Sequence, residues 1–368
     1  MRAKPLPGGL SAPEDRLGNI DDFGSNPGNL RARIYIPNGL EAGAPLVVVL
    51  HGCTQTAASY DHGAGWSVLA DRYGFALLFP EQRRANNSHL CFNWFLPQHT
   101  HRDGGEALSI AQMVRTVRAR HHTDPARTYV TGLSAGGAMT SVMLATYPEL
   151  FAGGAIIAGL PFGAAASMPE AFSAMQGSAI ADGAGLAAKV RSASAHDGSW
   201  PMVSVWHGTG DRTVSAVNGV ACVEQWRQLH ALPAQPSESR RTGNAAQRLW
   251  RDAAGRVQLE ETVIRGMGHG TPVDPSLQGG GKSGAHMLDV GIGSSQEIAR
   301  FWGIAGPASA RPTGEVPAAR LPAPIAAASV TPVRPERLIR EEREERPPVE
   351  TGIAKTINDA LRAAGLMR

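Results

Sequence analysis

A serine flanked by small residues, Gly132-Leu133-Ser134-Ala135-Gly136, follows the run Thr128-Tyr129-Val130-Thr131 and precedes a helix-forming segment. Strand, sharp turn and helix in that order lift a serine hydroxyl above the end of a sheet. Gly132 and Gly136 suit such a turn because the backbones crowd there and a Cβ at either place would clash. Serine is a poor nucleophile at neutral pH, so it needs a base, and the base needs an acid to orient it. In this arrangement the acid precedes the histidine along the chain. The strand-like Val203-Ser204-Val205-Trp206-His207 leads into Gly208-Thr209-Gly210-Asp211, which puts Asp211 on the loop after a strand. A second strand-like run, residues 261–264, leads to Gly268-His269-Gly270. Acyl transfer also requires two backbone N–H groups aimed at the developing oxyanion. One is that of Ala135, after the nucleophile; the other is that of Cys53, where Val47-Val48-Val49-Leu50 runs into His51-Gly52-Cys53. Asp274 and Asp197 are alternative acids. His286 is the alternative base, although no strand immediately precedes it, and His51 is read as a support of the oxyanion loop.

These groups need a frame that ends several strands at one edge. Residues 31–36, 46–50, 75–79, 128–133, 155–158, 202–206 and 261–264 read as strands, several of them apolar on both faces, as in a mostly parallel sheet covered on both sides. Between them, residues 106–120, 136–146, 215–229 and 294–302 carry helical periodicity; in the first, Ile110, Val114 and Val117 share a face. The alternation predicts a doubly wound α/β fold. After about residue 304 the character changes: residues 306–350 hold nine of the 26 prolines and a mixed-charge run, with no stripe wide enough for a core. We therefore expect an N-terminal extension at 1–27, a catalytic domain at 28–304, a Pro/Ala-rich charged linker at 305–350 and a short amphipathic helix at 351–368. That helix would dock on its own domain or on a partner.

Several motifs in register resemble the polyhydroxybutyrate depolymerase family of esterases. They are Leu50-His51-Gly52-Cys53-Thr54-Gln55, Asp71-Arg72-Tyr73-Gly74-Phe75, Cys91-Phe92-Asn93-Trp94-Phe95, Gly132-Leu133-Ser134-Ala135-Gly136-Gly137-Ala138, Gly208-Thr209-Gly210-Asp211-Arg212-Thr213-Val214 and Gly266-Met267-Gly268-His269-Gly270. The likeness spans about residues 28–304. It implies an α/β-hydrolase fold and hydrolysis of short-chain poly(3-hydroxyalkanoate) or its oligomers by Ser134, Asp211 and His269. Feruloyl and acetylxylan esterases resemble the same group and supply the alternative substrate class; a non-catalytic binding module is the reading from another class. Cys53 and Cys91 both lie in family-like motifs, either bridged so as to fix the oxyanion loop or present as two buried thiols. Trp94 and Trp206 flank catalytic loops and are expected to form an apolar wall for the alkyl parts of the substrate.

Composition excludes other classes. The 35 cationic residues are nearly matched by 32 acidic ones spread along the chain, so no basic stripe argues for nucleic acid. Three cysteines are too few for a disulfide framework and too scattered for a CxxC metal site, and Cys222 reads as a packed thiol. The pairs His99/His101 and His121/His122 lack ligand spacing, so no metal is expected, and the chemistry above calls for no cofactor. The charge-free stretch 151–169 is rich in Gly and Ala and contains Pro161, which suits a buried strand and loop rather than a membrane span. The family resemblance implies the extracellular region. Residues 1–22 hold no apolar core of the kind a secretory signal needs, which keeps the cytoplasm as the alternative.

Overall fold

The computed structural model describes residues 15–178 and 180–306. The chain divides into two units, Met1–Ala308 and Ser309–Arg368, and everything described lies in the first. The expected terminal helix at 351–368 and all but the first two residues of the expected linker fall outside the described residues.

The strands are β1 (Gly18–Ile20), β2 (Arg31–Tyr35), β3 (Leu46–Leu50), β4 (Ala76–Glu81), β5 (Thr128–Leu133), β6 (Gly153–Ile157), β7 (Met202–Gly208), β8 (Glu238–Thr242), β9 (Ala245–Arg251), β10 (Val257–Ile264), β11 (Thr271–Val273) and β12 (Met287–Asp289). The helices are α1 (Ala57–Ala64), α2 (Trp66–Tyr73), α3 (Pro97–Thr100), α4 (Gly105–His121), α5 (Ala135–Thr146), α6 (Met168–Met175), α7 (Gly183–Ser192), α8 (Val217–Leu229) and α9 (Ser294–Phe301). Ten strands form one sheet in the order β1-β2-β4-β3-β5-β6-β7-β10-β9-β8. The central strands β4, β3, β5, β6, β7 and β10 run parallel, and antiparallel pairs close both sides.

The two-sided burial of β3 shows why the sheet is doubly wound. Leu46, Val48 and Leu50 enter one core cluster with side chains of α4, α5, α7 and α8, while Val47 and Val49 enter the other with α1, α2 and α9. Strand side chains alternate faces, so an unbroken apolar run needs cover on both. Helix α5, behind the Ser134 turn, is buried along its whole length, as its small and apolar composition permits.

Two parts of the sheet lie beyond the sequence-based strands. β1 pairs with β2 and Phe23 is buried, so the sheet begins ahead of the expected start at residue 28. The β8–β9 hairpin is mostly polar: every residue of β8 is exposed. An arginine-bearing edge strand carries no apolar alternation to read, and its charge keeps the open edge from pairing with another sheet.

Candidate active site

Ser134 joins the end of β5 to the start of α5 with φ 57° and ψ −118°. Such a conformation costs a non-glycine residue on the order of 1–3 kcal/mol and persists only where its surroundings hold it. Here the Ser134 N–H donates to the Ile157 carbonyl at 2.9 Å, and its own carbonyl accepts from the Ala138 N–H at 2.8 Å. The flanking glycines are required by contact: a Cβ on Gly132 would lie 2.4 Å from the Gly136 carbonyl group, and one on Gly136 would lie 2.3 Å from the Leu50 oxygen.

Asp211 and His269 sit on the loops that leave β7 and β10, which are parallel neighbours in the sheet. The loops are stitched together: the Thr209 N–H donates to the Ile264 carbonyl at 3.0 Å, and the Gly210 N–H to the Met267 carbonyl at 2.9 Å. His269 Nδ1 lies 2.7 Å from Asp211 Oδ2. Asp211 Oδ1 accepts from the backbone N–H groups of Thr213 and Val214, both at 2.9 Å. Burial alone would push the Asp211 carboxyl up, but the hydrogen bonds from His207 and His269 and the Val214 N–H hold it well below the usual carboxylate range. An ionised Asp211 beside Nδ1 puts the ring proton on that nitrogen and leaves Nε2 with a lone pair.

His207 has no counterpart in the sequence reading. Its Nε2 is 2.8 Å from the Val214 carbonyl and 3.4 Å from Asp211 Oδ2, so it braces the carboxylate from behind. Asp274, one alternative acid, instead caps its own turn through the Ser276 N–H, and Asp197 is exposed. His286 packs edge-on to His269 with ring centroids 6.1 Å apart.

The loop carrying Cys53 is held from several sides. Cys53 is bridged to Cys91, with Cα atoms 4.2 Å apart, and the Thr54 N–H donates to the His89 carbonyl at 2.6 Å. His51 is buried, and both of its ring nitrogens meet backbone: Nε2 accepts from the Gln82 N–H at 3.1 Å and Nδ1 donates to the Gly52 carbonyl at 2.8 Å. Neither is left for proton transfer. Burial lowers its pKa further. Among the described residues, the N–H groups of Cys53 and Ala135 are engaged in no backbone hydrogen bond.

Beneath this loop lies a second feature absent from the sequence reading. Glu106, in the first turn of α4, is fully buried and accepts from Gln82 Nε2 at 2.7 Å, Asn93 Nδ2 at 2.6 Å and the Asn93 N–H at 2.9 Å. Gln82 Nε2 also donates to the Cys91 carbonyl at 3.1 Å, so the carboxylate anchors the disulfide-bearing segment.

The two tryptophans part ways. Trp94 retains 9% exposure and packs edge-on against Phe95. Trp206 does not form the expected wall: it is 1% exposed, its ring lies in the core on the α1/α2/α9 side, and its Nε1 donates to Ser204 Oγ at 2.8 Å. Cys222 is a buried free thiol whose pKa burial raises. Among the described residues no helix is long and apolar enough to cross a membrane.

Residues 30–249 match the family model described as esterase PHB depolymerase. Poly(3-hydroxyalkanoate) depolymerase C of Paucimonas lemoignei is 46% identical over 293 residues, covering 79% of this chain and 70% of the relative. Feruloyl esterase B of Talaromyces stipitatus is 30% identical over 269 residues, covering 71% of this chain and 74% of the relative. The solved acetyl xylan esterase from Aspergillus awamori superposes with a TM-score of 0.68 at 27% identity, covering 78% of this chain and 99% of its own, and shares the α/β-hydrolase fold.

Proposed function

The chain belongs to the PHB depolymerase family of esterases and is a carboxylic ester hydrolase, and on that premise we propose that it cleaves short-chain poly(3-hydroxyalkanoate), or oligomers of it, through an acyl-enzyme on Ser134. His269 Nε2 takes the proton of the Ser134 hydroxyl as the oxygen attacks the ester carbonyl. The N–H groups of Cys53 and Ala135 hold the oxyanion that forms. His269 then gives its proton to the departing alkoxide, and water activated by the same nitrogen releases the acid. Asp211 holds the imidazole in its working tautomer and stabilises the imidazolium. The observation that carries the reading is the 2.7 Å contact between His269 Nδ1 and a buried, multiply hydrogen-bonded Asp211, on loops at the same edge of the parallel sheet as a serine held at positive φ.

The decisive variant is Ser134→Ala, which should abolish p-nitrophenyl butyrate hydrolysis while leaving the thermal midpoint within a few degrees of the parent. Retention of full activity would sink the mechanism. Esters on plant polysaccharide form a second reading, favoured by the likeness to feruloyl and acetyl xylan esterases. Release of 3-hydroxybutyrate from amorphous polymer, measured against release of ferulate or acetate from xylan, separates the two.

A further inference from the structure

A cavity of about 430 Å³ lies between α1 and the loop before β12, lined in part by Thr54, Gln55, Ser59, His62, Lys282 and His286. It borders the proposed machinery at two points. Thr54 directly follows Cys53, and the His286 ring packs edge-on to that of His269. Its lining contains no aspartate or glutamate. Lys282 is one of only four lysines in the chain, and none of the ion pairs among the described residues involves it. Both His62 and Lys282 line the cavity, and burial first, then the Lys282 charge, lowers the pKa of His62.

The site is built rather than incidental. The Lys282 N–H donates to the Gly63 carbonyl of α1 at 2.8 Å. That approach depends on Gly281, at φ 92°, where a Cβ would lie 2.5 Å from the same oxygen. His286 is held at φ 59°, a conformation costly for a non-glycine residue, while its carbonyl accepts from the Thr271 N–H at 2.8 Å. Backbone contact thus fixes both ends of the segment that carries the two basic side chains.

We propose that this cavity is a carboxylate subsite, which binds the free acid end of the departing 3-hydroxyacyl unit through the Lys282 ammonium and the ring N–H groups of His62 and His286. The inference rests on the hydroxyalkanoate reading above. Cleavage at the last ester of a 3-hydroxyalkanoate chain releases an alcohol whose carboxylate stands three bonds from the ester oxygen. The base that protonates that oxygen and the groups that hold the acid must therefore be neighbours, as His269 and His286 are. A cation with imidazole donors meets a carboxylate through charge-assisted hydrogen bonds. A neutral or esterified end gains nothing from the charge, so the subsite would direct the enzyme to chain ends and short oligomers.

The test uses the full chain and two substrates with the same scissile bond: the linear dimer of 3-hydroxybutyrate as the free acid and as its methyl ester. Lys282→Ala should lower kcat/KM for the free acid about ten-fold more than for the methyl ester, through KM, and Lys282→Arg should restore the preference. Equal losses on both substrates, or none on either, overturn the subsite. If neither dimer is cleaved, the hydroxyalkanoate reading fails, and inhibition of p-nitrophenyl butyrate hydrolysis by 3-hydroxybutyrate decides the subsite alone. About ten-fold weaker inhibition in Lys282→Ala, with methyl 3-hydroxybutyrate unaffected, supports it; identical inhibition in parent and variant refutes it.

Discussion

Glu106 makes a quantitative demand on the whole molecule. Burial pushes its carboxyl from the ordinary 4.5 up to about 7, although the Asn93 N–H and the Gln82 and Asn93 amides pull in the opposite direction. Between those two values the native state binds a proton that the unfolded chain has released. Stability must therefore fall as pH rises through this window, the reverse of an ion-paired carboxylate. The rise from 4.5 to about 7 corresponds to about 3 kcal/mol, absent below pH 4 and fully felt near pH 8. The perturbation is Glu106→Gln, which keeps the volume and removes the titration. Like the protonated acid, the glutamine keeps one carbonyl oxygen as acceptor and places a donor group where the second acceptor stood, so at pH 4 parent and variant should lie within about 1 kcal/mol of each other. Urea unfolding at half-unit intervals from pH 4 to 8 then tests the slope. The variant should gain about 3 kcal/mol on the parent across the range, with other buried acids such as Glu260 cancelling in the difference. Parallel curves would refute a buried carboxyl with a raised pKa. A gain by the parent would show that the three hydrogen bonds outweigh desolvation.

Two further outcomes follow from the ties around the Cys53 loop. The Cys53–Cys91 bridge closes a loop of sequence separation 38, so Cys53→Ser/Cys91→Ser should cost about 4 kcal/mol on the chain-entropy estimate. Calorimetry would read this as a lower midpoint, reproduced in the parent by reductant, and an unmoved midpoint would show that the loop is ordered without the bridge. Gly136→Ala forces a Cβ to 2.3 Å from the Leu50 oxygen and 2.6 Å from the His51 oxygen, so the serine turn and the Cys53 loop must separate. A displacement on that scale should lower kcat about a hundred-fold in a chain that still folds. Activity within two-fold of the parent on p-nitrophenyl butyrate would mean that the turn tolerates the shift.

What could be read from the sequence had local signatures. β5 and β7 are largely apolar and β10 ends in the β-branched Thr262-Val263-Ile264; each breaks into a glycine-rich loop, so the placing of Ser134, Asp211 and His269 after strand ends needed only those runs, the glycines and the chain order. The features that escaped depend on neighbours far along the chain. Nothing near Glu106 distinguishes it from an acid at a helix N-terminus, where a negative charge is favoured and usually solvated. Its burial comes from Gln82 and Asn93, which reach it from other segments. The β8–β9 hairpin escaped because an exposed edge strand has no buried face to produce alternation.

Trp206 and His207 show a different kind of miss, because the information needed was local. Proximity to a catalytic loop suggested Trp206 as a substrate wall, but consecutive strand residues face opposite sides of the sheet. In β7 the side that carries His207 carries the brace on Asp211. Its neighbour therefore turns the other way, into the core cluster that also holds Tyr60 and Trp66. Once Asp211 is taken as the acid, parity alone assigns the face of every residue in the strand before it: His207, Val205 and Val203 on the α4–α8 side, Trp206 on the other. Both valines do lie in the core cluster of that side. Distance along the chain says which loop a residue adjoins, and the parity of the strand says whether its side chain can reach what the loop holds.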